Sequence, residues 1–340
     1  MKANATAAII RVATPVIAHL GSLRATLAGL ALLAAVVLAR PDWQALSLVI
    51  GALAINLTVA LAHHPGLRRR LPLLVAHLAL LALVVGVAFG RLTALDGHFE
   101  LTQGLAFDGQ LIDQASGPLY RPPLHRLAFR HEGFEIDYAP GRKRGATRNA
   151  VSWVDESGQA RRAVIGDHRP LVLAGHRITT TPNKGFAPLL RWLPGRGEPL
   201  AGTVHLPSFP ANELRQSREW ALPDGRKVWV MLHTDETLID PGSAGRFRLP
   251  DDHRLVVRLD DQRTELQPGQ AWRISGGTLV YEGLRSWMGY RVAYDPTLPW
   301  LLAAALVAAL ALGLHYAQKF WLQLPARAVQ PRTDPGELDG

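Results

Sequence analysis

Apolar residues run unbroken over the first third of the chain, then fall at every second position, then form one more unbroken run. Residues 25–95 and 298–317 are dominated by Ala, Leu and Val, whereas 96–296 hold most of the charge, Pro, Gly and Trp. A hydrocarbon core takes roughly 20 mostly apolar residues as a helix. This predicts four transmembrane helices, at about Leu23–Ala39, Trp43–Ala62, Leu71–Leu92 and Leu298–Tyr316. The first is short, so its ends should reach the interface. It reads as a span and not a cleaved leader, because the next run follows after only Arg40, Pro41 and Asp42. Ahead of it, within 1–22, Ile9, Val12, Val16 and Leu20 fall at roughly helical spacing, which predicts an interfacial amphipathic segment.

Between the third and fourth runs the period drops to two. Phe134, Ile136 and Tyr138 alternate with polar residues, as do Val228, Val230 and Leu232, and Leu255, Val257 and Leu259. Pro140-Gly141, Ser157-Gly158, Asp224-Gly225 and Gly276-Gly277 punctuate the runs, and Asp224-Gly225 predicts a hairpin between Trp220–Leu222 and Lys227–Leu232. Residues 96–297 are thus expected to form a large, mainly antiparallel β domain. The stretch 182–200, rich in Pro, Gly and Arg, reads as a mobile loop.

Charge sets the expected orientation. Arg68, Arg69 and Arg70 crowd the loop between the second and third spans, and Lys2, Arg11, Arg24, Lys319 and Arg327 flank the chain's two ends. The positive-inside rule places all of these in the cytoplasm, the 318–340 tail included. The β domain is then extracytoplasmic and the chain a multi-pass protein of the inner (cell) membrane. The formal charge of +9 comes from scattered or membrane-flanking residues with no basic-aromatic motif, so nucleic acid is not an expected partner; the lipid bilayer is. With no cysteine, disulfides, CxxC redox chemistry, Cys-zinc sites and CxxCH haem attachment within this chain are excluded.

Polar groups inside a membrane are costly and each needs a reason. Asn56 and His77 both lie about six residues inside the cytoplasmic ends of adjacent spans, roughly 10 Å deep. They can bond each other and lock the bundle. Equally, His77 can be a metal or haem ligand whose other ring nitrogen Asn56 orients. Gly86 and Gly90 form a G-x-x-x-G pair suited to close contact with the last span or a partner. His315, Tyr316, Lys319, Phe320 and Trp321 read as an interface anchor. The eight His between 98 and 253 lack metal-ligand spacing, and no catalytic constellation stands out.

Several local strings are similar to the ResB family of cytochrome c biogenesis proteins, in a short variant. They are Leu20-Gly21-Ser22-Leu23-Arg24, Ala76-His77-Leu78 through Val85-Gly86, Gly97-His98-Phe99 with Leu101-Thr102-Gln103-Gly104, and Trp287-Met288-Gly289-Tyr290 through Asp295-Pro296 before the last span. The resemblance implies that His77 is an axial ligand of a transiently held haem b, the other ligand coming from a partner. That partner is a ResC (CcsA)-type membrane protein with a Trp-Trp-Asp motif, and the complex attaches haem to apocytochrome c. This chain has no Trp-Trp-Asp, the nearest string being Trp153-Val154-Asp155. It therefore reads as a haem-handling and scaffold subunit that is not an enzyme by itself. The alternative is a membrane-anchored β-domain scaffold or sensor that binds no haem.

Overall fold

The computed structural model describes residues 19–39, 43–122 and 124–323. Two compact units share the chain: Thr93–Asp295 is one, and the helices on either side of it in sequence belong to the other.

The helical unit contains α1 (Leu23–Ala39), α2 (Trp43–His63), the single turn α3 (Pro65–Arg68), α4 (Leu71–Thr93) and α5 (Leu298–Gln323). Three stretches are long and apolar enough to cross a membrane: Leu46–His63, Leu71–Thr93 and Leu298–Trp321. The expectation of four is met only in part. At 17 residues α1 rises about 25 Å, short of the ~30 Å hydrocarbon core. The last helix runs seven residues past its expected end at about Tyr316. The expected segment 1–22 and tail 318–340 fall mostly outside the described residues.

Glycines set the helix contacts. A Cβ on Gly29 would stand 2.6 Å from Leu53 Cδ2, and one on Gly21 would stand 2.9 Å from Val59 Cγ1, so α1 lies close along α2. Gly86 of the G-x-x-x-G pair faces α5, where a Cβ would meet Leu301 Cδ2 at 2.7 Å. Elsewhere α5 exposes Leu302, Leu306 and Leu310. That apolar stripe is stable against lipid or protein but not against water.

The β unit is wholly antiparallel. Its strands are β1 (Leu95–Thr102), β2 (Asp113–Ser116), β3 (Phe129–Ala139), β4 (Lys143–Val154), β5 (Ala160–Ile165), β6 (Leu171–Leu173), β7 (His176–Pro194), β8 (Leu200–Thr203), β9 (Ser217–Ala221), β10 (Lys227–His233), β11 (Gly245–Arg246), β12 (Arg254–Leu259), β13 (Gln262–Leu266), β14 (Ala271–Ile274) and β15 (Gly277–Tyr294). One sheet runs β2-β1-β15-β7-β6, with β14 also on β15 and β8 also on β7. The second runs β13-β12-β10-β9 and the third β11-β3-β4-β5. First and last strands pair directly, Leu95 opposite Tyr294, so the chain enters and leaves the domain side by side. Arg291 clasps Asp96 across that pair at 2.7 and 2.5 Å, which holds the Asp96 carboxyl below its usual range. The alternating runs read from the sequence lie in β3, β10 and β12 and supply core residues such as Ile136, Val230 and Leu255, each fully buried. The Asp224-Gly225 hairpin joins β9 to β10, with Gly225 at φ +85°.

The stretch read as a mobile loop is mostly strand. β7 continues through Pro194, paired with β15, and buries Phe186, Ala187, Leu190 and Trp192. Proline and glycine are tolerated there because the ladder is irregular, with register shifts between Tyr281 and Gly283 and between Met288 and Tyr290. Gly185 lies under the indole of Trp287, where a Cβ would come within 3.0 Å of Nε1.

Aromatic residues join the sheets. Phe99 stacks on Tyr290 at 5.2 Å, Phe129 meets Tyr290 edge-on at 5.4 Å, and Phe186 stacks on Phe247 at 5.4 Å. Beside them His131 is fully buried. Asn149 donates its amide to His131 Nδ1 at 2.8 Å and accepts from the Tyr290 hydroxyl at 2.9 Å. The ring proton must therefore sit on Nε2, which has no partner. Burial pushes the His131 pKa down to about 4. The unfolded chain, with an ordinary histidine near 6.5, binds its proton first as pH falls. This group's contribution is thus complete above pH ~6.5, declines as pH falls to about 4, and is lost below that, about 3 kcal/mol in all. Urea unfolding followed by tryptophan fluorescence should show this acid loss, and His131→Gln, which keeps an acceptor but does not titrate, should flatten it. Equal pH dependence in the two proteins would show that His131 is not the titrating group.

Candidate functional site

The candidate site lies within the helical unit. Asn56, seven residues before the end of α2, is 6% exposed. Its Nδ2 donates to the Leu20 carbonyl at 2.5 Å and the Ser22 carbonyl at 3.4 Å, and its Oδ1 accepts from Thr26 Oγ1 at 2.7 Å. Ser22 caps α1, its Oγ accepting from the Ala25 amide at 3.2 Å. Leu20 precedes α1, so its carbonyl gains nothing from that helix, and Asn56 supplies the missing donor.

His77 sits in the second turn of α4, half-buried. Its Nδ1 lies 2.8 Å from the Leu73 carbonyl, four residues earlier. A carbonyl only accepts, so Nδ1 carries the proton and Nε2 keeps the lone pair. The expectation that Asn56 orients this ring, or bonds to it, is corrected here. All of Asn56's bonds run to Leu20, Ser22 and Thr26, and a backbone carbonyl of His77's own helix does the orienting.

The two residues nevertheless line the same space. A cavity of about 640 Å³ is walled by Leu30, Leu53, Leu80, Leu83 and Val84, and His77, Asn56 and His64 stand among its few polar groups. Its size is that of a small-molecule or cofactor pocket. An apolar chamber with one imidazole held in the Nε2 lone-pair form fits a hydrophobic metallo-macrocycle such as haem. His64, at the α2–α3 junction, is the wall residue that sequence reasoning passed over. It stands as the N-cap of the one-turn helix α3, in the loop that sequence reasoning used only for its arginines.

In the β unit the histidines are tied into hydrogen bonds. His205 joins Glu100 and Thr102, both at 2.8 Å, under a stacked Trp287. His176 joins Tyr120 and the Ala174 carbonyl, His253 joins Tyr281, and His98 joins Asp113. His125 and His168 are exposed. Among the described residues no three His, Asp or Glu side chains are grouped to hold a metal ion. Lys184, 3% exposed, donates to the Pro182 carbonyl at 3.2 Å. Burial, reinforced by Arg144, pushes its ammonium down to about 8.

Residues 55–180, a stretch that includes Asn56 and His77, match the model of the ResB-like family. The match supports assignment to that family. No curated protein matches the chain.

The Asn56 bonds should be measurable as coupling. In a double-mutant cycle of Asn56→Ala and Thr26→Val, read by unfolding in mixed detergent micelles, the pair should couple by ~0.6 kcal/mol and at most ~1.7. Additive effects of the two changes would mean that the bond does not hold the helix pair together.

Proposed function

From the ResB-like assignment carried by residues 55–180, we propose that the protein is a haem-handling and scaffold subunit of a cytochrome c maturation complex. The family implies a general role in cytochrome c biogenesis. What supports haem handling is one observation: His77, its Nδ1 pinned by the Leu73 carbonyl, lines an apolar cavity of about 640 Å³. Haem b, held transiently, would bring the iron that His77 Nε2 ligates and the vinyl groups destined for an apocytochrome's thiols.

This chain's residues would do three things. The Leu73 carbonyl keeps His77 in the tautomer that can ligate. Leu30, Leu53, Leu80, Leu83 and Val84 would give the macrocycle an apolar wall to lie against. Asn56 fixes the wall formed by α1 through its bonds to Leu20 and Thr26. Any further ligand and the attachment step would come from a ResC (CcsA)-type partner, since this chain has no Trp-Trp-Asp motif, and the thiols that receive haem would be the apocytochrome's. The protein on this reading is not an enzyme by itself. α1 would cross as a fourth, shorter span, with Arg68–Arg70 on the cytoplasmic side of the inner membrane and the β domain extracytoplasmic.

Reduced absorption spectra of the chain co-purified with its partner, as wild type and as His77→Gly, test the proposal. The wild type should show a haem spectrum, and the variant should lose it and regain it with added imidazole. Equal haem in both proteins would remove His77 from the ligand set. An intact complex with no haem in either would favour the haem-free scaffold instead.

A further inference from the structure

The third sheet ends in an open strand. β5 pairs with β4 on one side and is the last strand in the order β11-β3-β4-β5. Along it the inner face carries Ile165, buried, and Ala163, half-buried, while Ala160, Arg162 and Val164 turn outward. The register sets these three opposite Val154, Ser152 and Ala150 of β4, and Ala150 in turn opposite Gly133 of β3. The outward face is therefore a floor of small and apolar side chains. Val154 is 67% and Val164 53% exposed, in contrast to the covered inner face.

This floor is grooved along its length. Three clefts adjoin on it, the first two sharing Ala150 and Val164 and the second and third sharing Arg162. The groove thus follows β4 and β5 for the six residues of β5, roughly 20 Å. Arg162, opposite Ser152 of β4 and on the edge strand itself, has no carboxylate partner among the described residues, whereas Arg148 and Arg161 are paired with acids and Arg130, two strands in, donates to the Gly104 carbonyl.

We propose that β5 and this groove receive an extended peptide segment of another protein, added as a fifth strand, with alternate small apolar and acidic side chains. An open strand edge offers unpaired amides and carbonyls at fixed spacing, so backbone bonds supply affinity and alternate side chains supply selection. Shallow small-residue positions beside Val164 take aliphatic side chains, and Arg162, free of a carboxylate on the edge strand, favours acids. The site lies wholly within the β unit and does not depend on the haem reading.

The test uses the full chain in lipid nanodiscs and a fluorescein-labelled peptide of alternating Val and Glu, long enough to span β5. Fluorescence anisotropy should show saturable binding. N-methylation of alternate peptide amides, or replacement of Glu by Lys, should each weaken it by about tenfold or more. Arg162→Glu should weaken the Glu peptide to a similar degree and improve the Lys peptide. Hydrogen exchange at residues 160–165 should slow when the Val-Glu peptide is bound. The proposal is overturned if no peptide binds, if the N-methylated peptide binds as well as its parent, or if Arg162→Glu changes nothing. Self-association through β5 that the peptide does not displace, seen by mass photometry, would overturn it in favour of a second copy of the chain. The haem spectrum of Arg162→Glu should match wild type, which keeps this outcome separate from the fate of His77.

Discussion

A bilayer supplies no hydrogen bonds, so a polar group within it must be satisfied by the protein. Asn56 meets that demand by reaching a backbone carbonyl that the next helix leaves unused. The Leu20 carbonyl stands ahead of α1, and the Asn56 amide closes on it at 2.5 Å while Thr26 donates to the amide oxygen at 2.7 Å. This fixes where α1 begins against α2. The close approach favours glycine at 21, where a side chain would press on Val59 and the Ala60 backbone, and at 29, where the Leu53 side chain would have to move aside. It also places Gly21, Thr26 and Leu30 in the cavity wall. One amide thus decides the seating of α1 and the shape of the chamber beside His77.

The β unit depends on a different closure. β1 and β15 are far apart in sequence, yet they pair from Leu95 opposite Tyr294 to Thr102 opposite Trp287. The Asp96–Arg291 clasp lies on this pair and is about half exposed, so it contributes little to stability. The weight falls on Phe99, Phe129 and Tyr290, packed between sheets, with pairwise aromatic contacts worth about 0.5–1.5 kcal/mol beyond burial.

Much of this was legible in the sequence, and what was not has a physical cause. Apolar runs marked the helices because a hydrocarbon core imposes length, and the same criterion sets α1 apart. Period-two runs marked β3, β10 and β12 because each has one face in the core. β7 escaped because Pro182, Gly185, Pro188 and Pro194 look like loop punctuation. Its order comes from pairing with β15 nearly a hundred residues later, which no local window contains. Asn56 was found but its partner was not, because the Leu20 acceptor is backbone and carries no side-chain signature. The Leu73 carbonyl was within reach of sequence reasoning, since in a helix a side chain turned back toward the N-terminus can reach the carbonyl four residues earlier.

The contrast among histidines gives the candidate site its chemical meaning. A ligating imidazole needs one nitrogen tied as a donor and the other left with its lone pair. In the β unit His205 and His176 engage both nitrogens, so neither keeps a spare lone pair. His131 is in the reverse state, its Nδ1 lone pair taken by Asn149 and its proton stranded on Nε2. His77 alone among these four pairs an engaged Nδ1–H with a place on the wall of an apolar cavity. Its tautomer is set by its own helix, so the site would persist through motions of neighbouring helices that would disturb an orienting side chain. On the proposed haem-handling reading, such an arrangement keeps the ligand ready when the chamber empties.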